Sequence, residues 1–317
     1  MIYYPLSWLS AKRLGNLAKL LGSYMRAVLC GNTRIAGYPY AASIEPANYC
    51  NLSCPQCPTG RHQIDKKAQK LSYQDYSYAV DALSPYLMYL NLYFQGESFL
   101  NNDLPKMIRY ASSKKIYTCV STNGHFLTHE VVDELKHTGL NRLIICLDGA
   151  NQQSYQKYRV GGDFLKVIDG IKRCVAAGLP VEVQCLLLES TENEKQAIAS
   201  LVKSMGVRKF YFKKAQFYDN YLFPQKEENR RYIQLEDGSL RTKKKWKNRC
   251  FRMWTSVIVD VHGRVLPCCY DKHATYAYGN LFKDSFYAIW NGDKAAKFRQ
   301  QIRTNRKSIA MCTNCTE

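Results

Sequence analysis

From about residue 41 the chain alternates between short apolar runs and longer stretches whose apolar residues recur at helical spacing. The apolar runs fall at 42–46, 87–94, 116–121, 143–147, 181–188 and 209–213 and predict strands. Between them, 73–84, 103–114, 128–138, 163–177 and 192–205 predict helices. Gly139, Gly178 and Gly206 stand just past three of these helices, where a left-handed C-cap favours glycine. Strand–helix alternation of this kind means a parallel sheet with helical crossovers. Six such units suit an open barrel or a doubly wound sheet, and in both the chemistry gathers at the C-terminal ends of the strands.

Three segments stand outside the alternation. Residues 10–29 predict an amphipathic helix with Leu14, Leu17, Leu21, Tyr24 and Val28 on one face and Lys12, Arg13, Lys19 and Arg26 elsewhere. It would either pack on the domain or lie on a membrane surface as a peripheral contact. Residues 213–249 are rich in charge, with Lys213, Lys214, Arg230, Arg231, Lys243, Lys244, Lys245, Lys247 and Arg249, and read as a basic linker or insertion. From Cys250 a last unit begins. Two short strands around His262 and Gly263 form a hairpin ending at Cys268 and Cys269, a helix covers about 284–303, and Cys312 and Cys315 close the chain. The expected organisation is an N-terminal helical extension over 1–39, a barrel over 40–215, the basic segment over 216–249 and a small cysteine-rich domain over 250–317.

Composition narrows the function. The 45 Lys and Arg exceed the 26 Asp and Glu, giving a net charge of +19, which favours anionic partners. No secretory signal and no 18-residue apolar run are present, so a cytoplasmic, reducing compartment is expected. In that setting the clustered members of the thirteen cysteines read as metal ligands rather than disulfides. Cys119, Cys146, Cys174 and Cys185 lie in apolar or helical stretches and read as small buried hydrophobes.

Cys50, Cys54 and Cys57 are the sharpest feature. Three thiols within eight residues can hold three irons of a cubane and leave the fourth without a protein ligand, and catalytic metal sites keep such a position open. At the other end, Cys250, Cys268, Cys312 and Cys315 are enough to fill a tetrahedral zinc or all four corners of a second cubane.

The triad, Gly96-Glu97 after the second strand and Ser121-Thr122-Asn123-Gly124 after the third resemble the radical S-adenosylmethionine (radical SAM) superfamily. Leu147-Asp148-Gly149 and Tyr158-Arg159-Val160-Gly161-Gly162 are similar to its branch with a SPASM or twitch C-terminal domain, and the spacing of Cys250, Gly263 and Cys268 fits that domain's opening. The resemblance implies an α/β fold, a partial (β/α)6 TIM-like barrel with a small C-terminal iron–sulfur domain. It implies that Cys50, Cys54 and Cys57 hold a [4Fe–4S] cluster whose open iron is chelated by S-adenosylmethionine. Glu97, beside Gly96, would receive the methionine ammonium, Ser121 and Asn123 the ribose hydroxyls, and Arg159 the methionine carboxylate. Reductive cleavage of the sulfonium would yield a 5′-deoxyadenosyl radical that takes a hydrogen atom from the substrate.

The chain stops two residues after Cys315, so by this resemblance its remaining cysteines would complete one auxiliary [4Fe–4S] cluster, held by Cys250, Cys268, Cys312 and Cys315. Cys269 is left over, either beside the ligands or as a hydrogen-atom donor to a substrate radical. Asp271, Lys272, His273 and His125 are further candidates near the site. The substrate would be a small molecule, glycan or peptide, with an anionic one favoured by the charge. The reaction would be sugar or alcohol oxidation, epimerisation or peptide modification. A flavodoxin- or ferredoxin-type donor would supply electrons, and the short stretch before the first strand argues against a fused peptide-recognition domain. The rival readings are a two-cluster electron-transfer protein without S-adenosylmethionine chemistry and a zinc-binding nucleic-acid module. No specific nucleic acid is expected, because the three-residue first gap and the α/β core argue against that module.

Overall fold

The computed structural model describes residues 4–63, 67–243, 247–313 and 315. Helix α1 (Ala11–Cys30) precedes the alternation β1 (Ala41–Ile44), α2 (Tyr73–Leu83), β2 (Tyr89–Asn91), α3 (Leu104–Ser113), β3 (Tyr117–Thr122), α4 (His129–Lys136), β4 (Arg142–Cys146), α5 (Gln152–Tyr158), α6 (Phe164–Ala176), β5 (Val181–Leu187), α7 (Lys195–Ser204) and β6 (Lys209–Lys214). All six strands are parallel to their neighbours and lie side by side in chain order. A doubly wound sheet reverses its order at a switch point. A uniform progression instead carries successive right-handed crossovers round one way, as in a barrel. Gly139, Gly178 and Gly206 adopt φ of 73°, 71° and 77°, the left-handed caps expected from the sequence.

The C-terminal segment continues the same sheet. After the antiparallel pair β7 (Tyr232–Gln234) and β8 (Leu240–Thr242) and the short α8 (Arg252–Thr255), β9 (Ser256–Val259) runs parallel to β1 on the edge away from β2. The hairpin partner β10 (Arg264–Leu266) and then β11 (Gly279–Asn280) follow antiparallel, which gives the order β11-β10-β9-β1-β2-β3-β4-β5-β6. Cys268 therefore sits just past a strand two places from the one that leads into Cys50. The single helix expected over 284–303 is two, α9 (Phe286–Asn291) and α10 (Asp293–Asn305), broken at Gly292.

One expectation needs correction. The buried face of α1 is Arg13, Asn16, Leu20, Ser23 and Ala27, not the leucine stripe. Polar anchors decide it: Asn16 exchanges two 2.8 Å hydrogen bonds with the Tyr38 backbone, and Arg13 donates to the carbonyls of Trp8, Lys114 and Lys115. Leu14, Leu21, Met25 and Leu29 are left exposed. The charged stretch after β6, read from the sequence as a basic linker or insertion, also carries apolar residues. Ala215, Phe217, Leu222, Phe223 and Tyr232 form an apolar cluster with Leu52, Cys54, Tyr158 and Leu188, so this segment packs on the cysteine triad. Lys244 and Lys245 lie outside the described residues.

Candidate active site

The triad loop leaves the C-terminal end of β1 and is clamped from two sides. Gln56, between Cys54 and Cys57, accepts from the Tyr218 amide at 3.0 Å and donates to the Tyr221 carbonyl at 2.9 Å and to Asp219. Arg61 pairs with the same Asp219 at 2.7 Å. On the other side Glu97 donates its amide to the Tyr49 carbonyl at 2.9 Å. Gly96 is required there: a Cβ at that position would lie 2.2 Å from the Ala47 carbonyl oxygen, inside the backbone leading into the loop.

The strand-end residues predicted from the sequence converge on this loop. Glu97 is buried and binds the end of β3, accepting from Thr122 Oγ1 at 2.8 Å, the Asn123 amide at 2.8 Å and the Phe99 amide at 3.1 Å. Burial pushes its carboxyl above the ordinary value and those three hydrogen bonds oppose the shift. Asn123 Nδ2 lies 3.7 Å from Cys50 Sγ and donates to Asn51 Oδ1 at 2.8 Å. Ser121 is half-buried with Oγ 3.9 Å from Cys146 Sγ. Arg159 follows α5, places Nη1 3.7 Å from Cys54 Sγ and forms a buried ion pair with Asp148 at 2.6 Å. The other oxygen of Asp148 accepts from the Leu186 amide at 2.6 Å, which ties this pair to β5.

Burial pushes the Cys54 thiol up to about 12, with the nearby Arg159 guanidinium acting against the shift. Cys50 and Cys57 both contribute to the field at Cys54, so the three thiols share one neighbourhood. In a cubane each takes a different iron and they need not meet at one point. Among the described residues no group of three His, Cys, Asp or Glu side chains converges as a single metal ion would require. The donor chemistry fits a [4Fe–4S] cluster: three soft thiols, a guanidinium and an amide donor at hydrogen-bond range of two of them, and a glycine cradle beside them.

The second thiol group is enclosed. Cys250, Cys268, Cys312 and Cys315 line one small cavity together with Met253, Ile302, Met311 and Arg306, and Cys269 does not. Arg306 donates to Cys315 Sγ at 3.3 Å. Burial raises the Cys250, Cys268 and Cys312 thiols, the last to about 11. Four thiols around one apolar space with a guanidinium at their edge fit a fully ligated cluster.

Beside the second group lies a cavity of about 970 Å³ over the faces of β1, β2 and β9, with Cys250 also on its wall. Both Cys268 and Cys269 reach its wall. Cys269 Sγ accepts from Arg252 Nη1 at 3.6 Å. The loop after Cys269 is joined to the Gly96 end of β2, since Gln95 donates to the Lys272 carbonyl at 2.9 Å and Lys272 Nζ sits 4.8 Å above the Phe94 ring. Burial raises the Tyr218 phenol, and the thiols of Cys57 and Cys269 both add to that shift.

The remaining candidates separate. Asp271 is buried and accepts from the Thr275 and Tyr276 amides at 2.8 and 2.9 Å, a structural role, while Lys272 lines the cavity and His273 is exposed. His125 Nε2 accepts from the Asp163 amide at 2.8 Å, so Nδ1 carries the proton shared with Asn123 Oδ1 at 2.9 Å. Burial lowers its pKa, and a neutral His125 orients Asn123. Asn51, Gln56 and Tyr218 were not singled out from the sequence, since each matters through a partner distant in the chain or through a side chain of ordinary type.

A family model of the Radical SAM superfamily matches residues 44–202, and one of an iron–sulfur cluster-binding domain, SPASM, matches residues 250–316. The chain is 29% identical over 169 residues to a probable GTP 3′,8-cyclase of Methanococcus maripaludis, across 53% of this chain and 55% of that protein. It is 24% identical over 284 residues to the antilisterial bacteriocin subtilosin biosynthesis protein AlbA of Bacillus subtilis, across 83% of this chain and 62% of that protein. It thus spans about half to three-fifths of the length of these relatives. The crystal structure of BtrN in complex with AdoMet and 2-DOIA superposes with a TM-score of 0.58 at 18% identity over 89% of this chain and 95% of that one, a likeness of fold. The chain belongs to the radical SAM superfamily, whose cofactors are [4Fe–4S] clusters and S-adenosylmethionine, and carries a SPASM-type iron–sulfur domain at its C-terminal end.

Proposed function

We propose that this chain is a cytoplasmic enzyme that cleaves S-adenosylmethionine reductively and removes a hydrogen atom from a substrate held in the 970 Å³ cavity. The observation that carries the reading is the convergence of Asn123, Arg159 and the Gly96-Glu97 turn on the thiols of Cys50 and Cys54. With cluster and S-adenosylmethionine bound, the site supplies one-electron cleavage of a carbon–sulfur bond and a carbon radical able to abstract hydrogen. The residues supply position. Cys50, Cys54 and Cys57 hold the first cluster; Glu97, Ser121, Asn123 and Arg159 orient S-adenosylmethionine against it. Glu97 keeps carboxylate lone pairs beyond its three hydrogen bonds for an ammonium. Alignment of this kind is worth about 7–11 kcal/mol in well-oriented reactions.

Cys250, Cys268, Cys312 and Cys315 hold the second cluster, and Cys269 faces the substrate. In this assignment the thiol of Cys269 gives a hydrogen atom to the substrate radical, which inverts the carbon centre. The thiyl left on Cys269 then takes one electron from the external flavodoxin- or ferredoxin-type donor and one proton from solvent before the next turnover. Reduction of the reconstituted protein with dithionite should release 5′-deoxyadenosine, and Cys54→Ala should abolish it. Release that survives this substitution rejects the triad as the cluster site.

A peripheral contact of α1 with an anionic membrane belongs to the same reading. Its exposed Leu14, Leu21, Met25 and Leu29 are flanked by Lys12, Lys19 and Arg26, and the helix contains no Asp or Glu. No helix among the described residues is long and apolar enough to cross a membrane.

A further inference from the structure

The wall of the large cavity has a one-sided charge. Lys213, Arg231, Lys247, Arg249, Arg252 and Lys272 line it, Arg306 stands at its thiol end, and among the described residues no aspartate or glutamate lines it. Elsewhere four half-buried cations meet carboxylates, Arg142 with Glu182, Arg159 with Asp148, Arg264 with Asp260 and Arg61 with Asp219, while Arg173, Arg230 and Arg303 meet backbone carbonyls. Among the described residues Lys213, Arg231, Lys247, Arg249 and Lys272 make no such ion pair. Gathering these five cations around one concavity without a paired carboxylate is unfavourable in the empty protein, and the repulsion is relieved when an anion enters.

The depth of the charge matters as well. Lys213, Lys247 and Arg249 are exposed at the rim, while Arg231, Arg252 and Lys272 are half-buried. One carboxylate would neutralise a single member of this set. A phosphate or pyrophosphate accepts several donors at once, and the planar guanidinium fork matches its oxygens two at a time. The remaining wall carries Tyr24, Tyr89, Tyr93 and Phe251, flat faces suited to a ring or chain attached to the phosphate. At about 970 Å³ the space matches a bound small molecule or headgroup.

Resting on the function proposed above, we infer that the substrate bears a phosphate or pyrophosphate ester bound by these cations, with the portion beyond the phosphate directed to Cys269. The phosphate could belong to a soluble ester or to a lipid headgroup, the second being served by α1, whose Tyr24 forms part of the cavity wall.

The test uses the anaerobically reconstituted protein. Binding of inorganic pyrophosphate is measured by calorimetry at low and moderate salt, beside retention on phosphatidylcholine vesicles with and without phosphatidic acid. Pyrophosphate should bind and weaken as salt rises. K213E/R249E should weaken it at least about tenfold, K213R/R249K should bind nearly as the native protein does, and both should retain native iron content and reductive cleavage of S-adenosylmethionine. Retention on phosphatidic acid vesicles that pyrophosphate reverses assigns the phosphate to a lipid, and pyrophosphate binding without such retention assigns it to a soluble ester. The inference is overturned if protein that cleaves S-adenosylmethionine binds neither probe, or if K213E/R249E binds pyrophosphate as tightly as the native chain. Pyrophosphate binding by protein that cannot cleave S-adenosylmethionine would leave the anion site standing and reject the radical reaction instead.

Discussion

The two cysteine groups use the same ligand chemistry in opposite surroundings. The triad comes from one loop, eight residues from Cys50 to Cys57, and is bordered by the polar groups Glu97, Asn123 and Arg159, the last backed by Asp148. The second group comes from three separate segments and is enclosed by Met253, Ile302 and Met311, with Arg252 and Arg306 as charged neighbours. An open site needs polar partners for whatever completes it, and a closed one needs only to neutralise thiolates and keep water out. In the function proposed, the contrast assigns ligand exchange to the triad and makes the second group a stable fixture in the wall of the cavity.

The largest expected effect that tests this contrast comes from removing thiols. Cys54→Ala should eliminate 5′-deoxyadenosine release. C312A/C315A should lower the reconstituted iron from about eight to about four per chain while release continues in the presence of dithionite. If the double variant keeps all its iron, the enclosed cavity is not the second cluster site; if it loses all of it, the two groups are not independent.

A smaller effect is expected at the ion pair behind the triad. Arg159→Met leaves Asp148 buried with only the Leu186 amide as partner, and should cost about 3–5 kcal/mol in denaturant unfolding of the reconstituted protein. Adding D148L should recover part of that stability, because two apolar groups replace the orphaned charge. It should not recover S-adenosylmethionine binding, measured by equilibrium dialysis, if Arg159 orients the cofactor. Recovery of both would make Arg159 structural and bring the triad's surroundings closer to those of the enclosed group.

These differences were unevenly legible in the chain. The triad could be read because its spacing is local, and the strand ends because each falls where an apolar run meets a turn residue. The left-handed caps at Gly139, Gly178 and Gly206 were visible for the same reason. The buried face of α1 was not, because it is chosen by Asn16, Ser23 and Arg13 finding backbone partners 13 to 102 residues away, which outweigh a leucine stripe. Nor was the packing of Phe217, Leu222 and Phe223 on Leu52 and Cys54, since a run of charges dominates that stretch of sequence. His125 shows the limit at a single residue: a histidine at a strand end can be read as chemistry, and only its partners, Asn123 and the Asp163 amide, reveal it as a brace.

The smallest expected effect divides the two adjacent thiols at the meeting point of both regions. Cys268 lines the enclosed cavity as well as the large one, whereas Cys269 lines only the latter and takes a 3.6 Å contact from Arg252. Cys269→Ala removes a half-buried sulfur from a wall facing open space and leaves all four enclosed thiols in place, so iron content and unfolding stability should match the native protein. Release of 5′-deoxyadenosine without substrate should also be unchanged. What should change is the fate of a deuterated substrate: hydrogen is still abstracted, but the inverted product is not formed. A fall of iron by about half would make Cys269 a ligand in place of Cys268 and require the loop after β10 to turn over when metal binds. Native turnover in the variant would remove Cys269 from the reaction and leave the proposed inversion without its hydrogen donor.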